Sequence, residues 1–304
     1  MEIRTDLAIE AGEMLGKDRL PEGVRLETKD FSNTEITRIE ILTDEAEKAM
    51  GKKKGRYVTV ELKEGELNTL EIHKEVAVAV RDEVLLYMEK LKEQPVIMAV
   101  GLGNRYITPD ALGPKVVEKI VVTRHVRQNP EIAGELDERL GNVCAIAPGV
   151  LGITGIETGE IIQGLAEKIR PDILFAIDAL AARKTLRINT TVQIADTGIV
   201  PGSGIGNRRM ELSRDTLGIP VISIGVPTVV DAMTLARDLI EEATGDKMHR
   251  ELEENMGKTC GADNIVTPKN IDMAIERMAN AISNGLNMAM HRGFDFNDVS
   301  DYLI

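Results

Sequence analysis

Val96-Ile-Met-Ala-Val-Gly-Leu-Gly-Asn-Arg-Tyr-Ile-Thr-Pro-Asp-Ala-Leu-Gly-Pro114 reads as a strand, a sharp turn and a helix start. Residues 96–100 are apolar without alternation, the mark of a strand buried on both faces of a parallel sheet. Gly101 and Gly103 let the chain turn as it leaves that strand. Thr108-Pro109-Asp110 carries capping side chains and a proline whose φ is preset for a first helical turn, and Val116, Val117 and Ile120 follow at helical spacing. Asp110 is therefore placed at the carboxyl end of a strand, where open α/β sheets hold their chemistry. Asp172-Ile-Leu-Phe-Ala-Ile-Asp178 is a second apolar strand ending in a carboxylate, expected at the same edge. Two such acids, each followed by Ala-Leu, make a candidate catalytic pair. Close carboxylates do not ionise together easily, so one keeps a proton while the other activates water.

Outward from these two strands, apolar runs at 143–147, 191–196 and 220–225 read as further buried strands. Helical patterns at 74–92, near 156–169, at 231–243 and at 269–290 alternate with them, the last opened by Thr267-Pro268 as cap and first residue. The expected fold is α/β: a mostly parallel sheet flanked by helices on both faces, in a single domain over 1–304. Alternation at 37–42 and 57–62 makes the first 70 residues a β-rich addition, with residues 17–34 as loop, Asp44–Met50 as a short helix and 121–126 as a possible strand.

Composition narrows the function. With 304 residues, 43% hydrophobic and 29% charged, the chain has the make-up of a globular protein, and no run approaches the roughly 20 apolar residues of a membrane helix. A polar N-terminus is not a secretory signal, and Cys144 and Cys260 are too few for a disulfide framework, which points to free thiols in a reducing cytoplasm. A net charge of −13 argues against nucleic acid as a direct ligand. None of the four histidines (His73, His125, His249, His291) forms His-Glu-x-x-His, and there is no Cys cluster and no Gly-x-Ser-x-Gly elbow, so no metal or cofactor is called for. Gly101-x-Gly103 lacks the third glycine of a dinucleotide fingerprint, Tyr106 standing there. The glycine-rich 198–209 loop lacks a P-loop ending and is read as a rim loop. Asp196 and Asp231 are rival strand-end acids, Asp231 being better placed as a helix cap.

Three long runs then resemble one known family. They are Gly101-Leu-Gly-Asn followed by Thr108–Pro114, Ile177-Asp-Ala-Leu-Ala-Ala-Arg183, and Asn189-Thr-Thr-Val-Gln-Ile-Ala-Asp-Thr-Gly-Ile199 continuing to Pro201–Arg209. With the opening Arg4-Thr-Asp-Leu-Ala8, they resemble the germination proteases of endospore-forming bacteria. The resemblance implies an aspartic-type endopeptidase, without the pepsin fold, that degrades small acid-soluble spore proteins in the spore core. It implies a sheet like that of the hydrogenase-maturation peptidases, a tetramer, and synthesis as a zymogen. The family's catalytic aspartates fall on Asp110 and Asp178. The self-processing bond, an acidic residue then apolar, Ala, x and Glu, falls on Asp6–Leu7 within Asp6-Leu-Ala-Ile-Glu10, making 1–6 a short propeptide. Arg208 and Arg209 are expected near acidic substrate residues. Two other readings stay open: a metal-dependent maturation peptidase of the same fold, with His125 as the nearest histidine, and a non-catalytic binding protein.

Overall fold

The structure, a computed structural model, describes residues 5–16, 20–129, 131, 134, 137–202, 209–245 and 264–302. Within them the strands are β1 (Val24–Asp30), β2 (Thr34–Ile41), β3 (Gly55–Leu62), β4 (Val96–Gly101), β5 (Asn142–Ile146), β6 (Ile173–Ala182), β7 (Thr191–Ala195), β8 (Val221–Asp231) and β9 (Ile265–Val266). They form one sheet in the order β1-β2-β3-β7-β8-β6-β4-β5, with β9 paired to β8. The strands β5, β4, β6 and β8 run parallel, as unbroken apolar runs require. The other pairings are antiparallel, so the β-rich addition joins the sheet through β7.

The helices are α1 (Ala8–Leu15), α2 (Asp44–Met50), α3 (Leu70–Met88), α4 (Leu112–Val117), α5 (Arg124–Arg127), α6 (Leu151–Thr154), α7 (Thr158–Ile169), α8 (Arg214–Leu217), α9 (Ala232–Thr244), α10 (Ile271–Met290) and α11 (Phe296–Tyr302). One face of the sheet buries Phe175, Ile177, Ile194 and Ile224 under α3, α4 and α10. The opposite face is covered in two parts. Leu7, Ile9, Ile39 and Leu180 pack with α1 and α2, and Met98, Val100, Leu174 and Ile162 pack with α7. Glu83 of α3, 2% exposed, ties β2 and β3 to that helix through Arg38 and Arg56.

Several expectations are corrected. Residues 24–30, read as loop, form β1, an edge strand exposed along nearly its whole length, so burial left no periodic signal there. Residues 121–126 are not a strand: Arg124–Arg127 make one helical turn beside the start of β5, with the Thr123 hydroxyl taking part in its bonding. Thr267 does not cap α10; its hydroxyl donates to the Thr228 carbonyl at 2.9 Å, and Asn270 precedes the helix. β6 runs on past Asp178 to Ala182 because β8 keeps pairing with it there, through a bulge at Leu180/Ala181. β4 stops at Gly101, opposite Ile177, so the neighbour on that side ends one residue before Asp178.

The turn after β4 is held by close backbone contact. A Cβ on Gly113 would lie 2.3 Å from the Leu102 carbonyl oxygen and 2.5 Å from that of Ile177, and one on Gly101 would lie 2.2 Å from the Gly113 oxygen. Backbone cannot step aside as a side chain does. Gly113→Ala is therefore expected to destabilise the fold by about 1–3 kcal/mol or more, read as a lower urea midpoint. His291 gives a second test. It is fully buried, its Nδ1 accepts the Gly141 N–H and its Nε2 donates to the Val121 carbonyl, both at 3.0 Å, and burial pushes its pKa down to about 4. A depressed pKa means that the ring's contribution is complete above its ordinary value near 6.5 and is lost as pH falls through about 4. The stability gap between wild type and His291→Gln is expected to narrow by about 3 kcal/mol across that window.

Candidate active site

Asp110 and Asp178 reach the same place by different routes. Asp178 sits in β6, 5% exposed, on the face shared by Leu180. Its Oδ1 accepts the Ala179 N–H at 2.9 Å, and the Gly202 N–H also bonds to the carboxylate. Asp110 closes the 3-10 turn Thr108–Asp110, and its Oδ2 accepts the Asn104 N–H at 2.8 Å. Gly103, at φ +102°, makes that loop possible: a Cβ there would lie 2.1 Å from the Asp110 carbonyl oxygen. The Leu102 N–H donates to the Ile177 carbonyl at 2.8 Å, so the loop takes the place of β4 beside β6 where β4 ends.

Electrostatics separates the two acids. Burial raises the Asp178 pKa well above the ordinary carboxylate value, and the Asp110 charge raises it further. Burial also raises Asp110, but the Asn104 N–H and the positive charge of Arg209 oppose the rise. The arrangement therefore favours a proton on Asp178 and a charge on Asp110, the split that general acid–base chemistry uses. The charge of Arg209 reaches Asp110; Arg208 lies outside the described residues.

The other candidates stand apart. β7 runs antiparallel, so Asp196 follows it at the amino side of the Asp178 level, where its Oδ1 accepts the Arg56 N–H at 2.8 Å. Asp231 caps α9, accepting the Thr234 N–H at 2.8 Å. His125 is exposed in α5 beside the amino end of β5, at the opposite edge from Asp110. Among the described residues no group of three or more His, Cys, Asp or Glu could hold a metal ion. Cys144 is a free thiol in β5, and Cys260 lies outside the described residues.

Asp6 reaches Asp178 through its charge, and Leu7 packs in the core with Leu180. The Asp6 N–H donates to the Ala181 carbonyl at 2.9 Å, its carboxylate accepts the Ala181 N–H at 2.8 Å, and its charge contributes to the rise at Asp178. Sequence reasoning missed Gln193, which holds the segment from the other side. Its one signal was a lone polar residue in the apolar run of β7. On the same segment, Lys52, from the Lys52-Lys53-Lys54 run before β3, donates to the Thr5 carbonyl at 3.0 Å.

The family model for germination protease matches residues 5–256 and 242–303. The chain belongs to the germination protease family. It is 42% identical to the germination protease of Clostridium acetobutylicum over 99% of both chains, and 42% identical to that of Clostridium tetani over the full length of both. With the germination protease of Bacillus cereus it shares 40% identity over 99% of this chain and 96% of that one. Among solved structures, the NiFe hydrogenase maturation protease HycI from Thermococcus kodakarensis aligns with a TM-score of 0.32 at 17% identity, over 66% of this chain and 98% of that one. As a member of this family the chain is a protease. No helix among its described residues is long and apolar enough to cross a membrane.

The raised carboxyl yields a test of site and stability together. A pKa raised by folding means stability that is complete below the ordinary value of 3.8 and lost as pH rises through the folded value. Asp178→Asn removes that cost at neutral pH. Its melting temperature at pH 8 is expected to equal or exceed wild type, while proteolysis falls by about 10²–10⁴-fold.

Proposed function

We propose that this chain is an aspartic-type endopeptidase that begins the breakdown of small acid-soluble spore proteins during germination, in the spore core. It cuts after an acidic residue and needs no cofactor. The observation that carries this reading is the pairing of Asp110 with a buried Asp178 whose surroundings favour the protonated form. The ionised Asp110 takes a proton from water as the oxygen attacks the scissile carbonyl carbon. Asp178 gives its proton to the carbonyl oxygen, so the tetrahedral intermediate is neutral rather than an oxyanion. On collapse, the proton held by Asp110 passes to the leaving amine and Asp178 recovers its own. In this reading Arg209, whose charge reaches Asp110, pairs with an acidic residue of the substrate.

The same reading makes Asp6–Leu7 the self-processing bond of a zymogen, releasing residues 1–6, and the working form a homotetramer. The placement of Asp6 against Ala181, three residues along β6 from Asp178, supports processing within one chain.

Wild-type protein is expected to cut a small acid-soluble spore protein after an acidic residue, and Asp110→Asn and Asp178→Asn, folded by circular dichroism, are expected not to. N-terminal sequencing of aged wild type should read Leu7. Cleavage retained by both mutants would remove the dyad from the mechanism.

A further inference from the structure

Asn189 stands in the left-handed region, at φ +56°, and is 7% exposed. Its main chain is pinned on two sides. Its N–H donates to the Pro227 carbonyl of β8 at 2.8 Å, and the next carbonyl, that of Thr190, accepts the Leu62 N–H of β3 at 2.8 Å. Its side-chain amide is not held. Nδ2 and Oδ1 are both buried, and neither has a hydrogen-bond partner. Burying an unpaired amide is costly. Glycine would meet the φ with no amide to bury, so the backbone alone gives no reason for the side chain.

The amide lines a cavity of about 590 Å³ at the carboxyl edge of the sheet. Its walls are the turn after β6, the turn after β3 and the start of α10. Pro227 faces Leu180, two residues beyond the rung of Gly225 and Asp178. Asn189 therefore joins β8 about 7 Å past the Asp178 level along the strands. The same end of α10 also holds the Asp110 turn, where the Thr108 hydroxyl donates to Asp272 at 2.9 Å. Cavity and acids are neighbours on the edge where open α/β sheets bind their ligands.

What the cavity can recognise follows from which groups are unengaged. The cations of its wall already have acids: Arg187 pairs with Glu13 and Glu61, Lys184 with Glu13, Lys63 with Asp30 and Arg277 with Glu66. Leu186, 85% exposed, leaves an apolar side chain at the rim. An amide offering an acceptor and donors together matches a peptide group, whose N–H and C=O it can bond as a pair. A small ion would leave half of it unpaired. We propose that this cavity is an exosite for the substrate polypeptide. Asn189 bonds the main chain of the substrate away from the scissile bond, and Leu186 packs on an apolar side chain beside it. Asn189 is thus a positioning residue that contributes affinity rather than chemistry. The proposal rests on the peptidase reading above.

The test uses the full chain and a purified small acid-soluble spore protein. Binding is measured by titration calorimetry in the Asp178→Asn background, and cleavage kinetics in the wild-type background. Asn189→Gly keeps the φ and removes the amide. It is expected to melt no lower than wild type, to weaken binding about 10-fold, and to raise KM by a similar factor with kcat unchanged, the value of one or two net hydrogen bonds. Ala274→Trp, at a half-buried position of α10 on the cavity wall, fills the space and leaves Asn189 in place; the same weakening is expected. Wild-type binding and KM in Asn189→Gly overturn the exosite, as does a loss of kcat with binding unchanged. If Asn189→Gly fails to fold, Ala274→Trp decides on the same terms. A spore protein that wild type cuts while the variants stay unimpaired leaves the peptidase reading standing without the exosite. One that wild type neither binds nor cuts removes that reading, and this inference with it.

Discussion

The contact on which the site depends is backbone against backbone, where the start of α4 meets the carboxyl ends of β4 and β6. Gly101 and Gly113 approach so closely that neither tolerates a side chain, and Leu102 bonds across to Ile177. This brings the 3-10 turn carrying Asp110 down onto the point where β6 loses its β4 neighbour, beside Asp178. A looser junction would let Asp110 swing into solvent, where its charge would no longer reach Asp178. The pair is therefore a product of main-chain packing around Gly101 and Gly113.

Placing a carboxyl in such a site costs stability, and the fold offsets the cost elsewhere. Asp178 has apolar neighbours on both sides in β6, and its bonding comes chiefly from N–H groups. N–H groups stabilise the anion, yet burial outweighs them and holds the Asp178 pKa well above its ordinary value. The apolar core on the opposite face, continuous from β3 to β5 beneath α3, α4 and α10, supplies the compensation. Strain or desolvation at a working site, carried by a well-packed remainder, is the usual bargain between activity and stability.

How much of this was legible depends on what left a pattern. Strands buried on both faces, such as 96–100 and 173–178, show as unbroken apolar runs, and the two acids stand out because Asp178 interrupts one run and Asp110 follows the glycine turn that closes the other. Helices with one apolar stripe, α3 and α10, show as well. β1 left no pattern because little of it is buried, and the single turn α5 is too short to have a period. The direction of β7 was also hidden. An apolar five-residue strand reads alike whether parallel or antiparallel, yet its direction decides that Asp196 falls short of the Asp178 level. Gln193 was missed for a related reason. Its partners, Asp6 and Ala8, are about 185 residues away in sequence, and no local pattern encodes a contact of that span.

The N-terminal stretch shows why local and tertiary readings had to be combined. As sequence, Thr5-Asp6-Leu7 invites reading as a helix cap, with Asp or Thr satisfying the first N–H groups of α1. In the fold Leu7 occupies the cap position, and no side-chain cap bond is made there. The Asp6 carboxylate turns to Ala181 instead, and Glu10 of the first turn turns to Arg183 and Lys184. A helix that gives up its own cap so that two acidic side chains can bond to the strand bearing Asp178, and to the turn that follows it, is organised by that strand. Both acids of the Asp6-Leu-Ala-Ile-Glu10 run are satisfied by groups within six residues of Asp178.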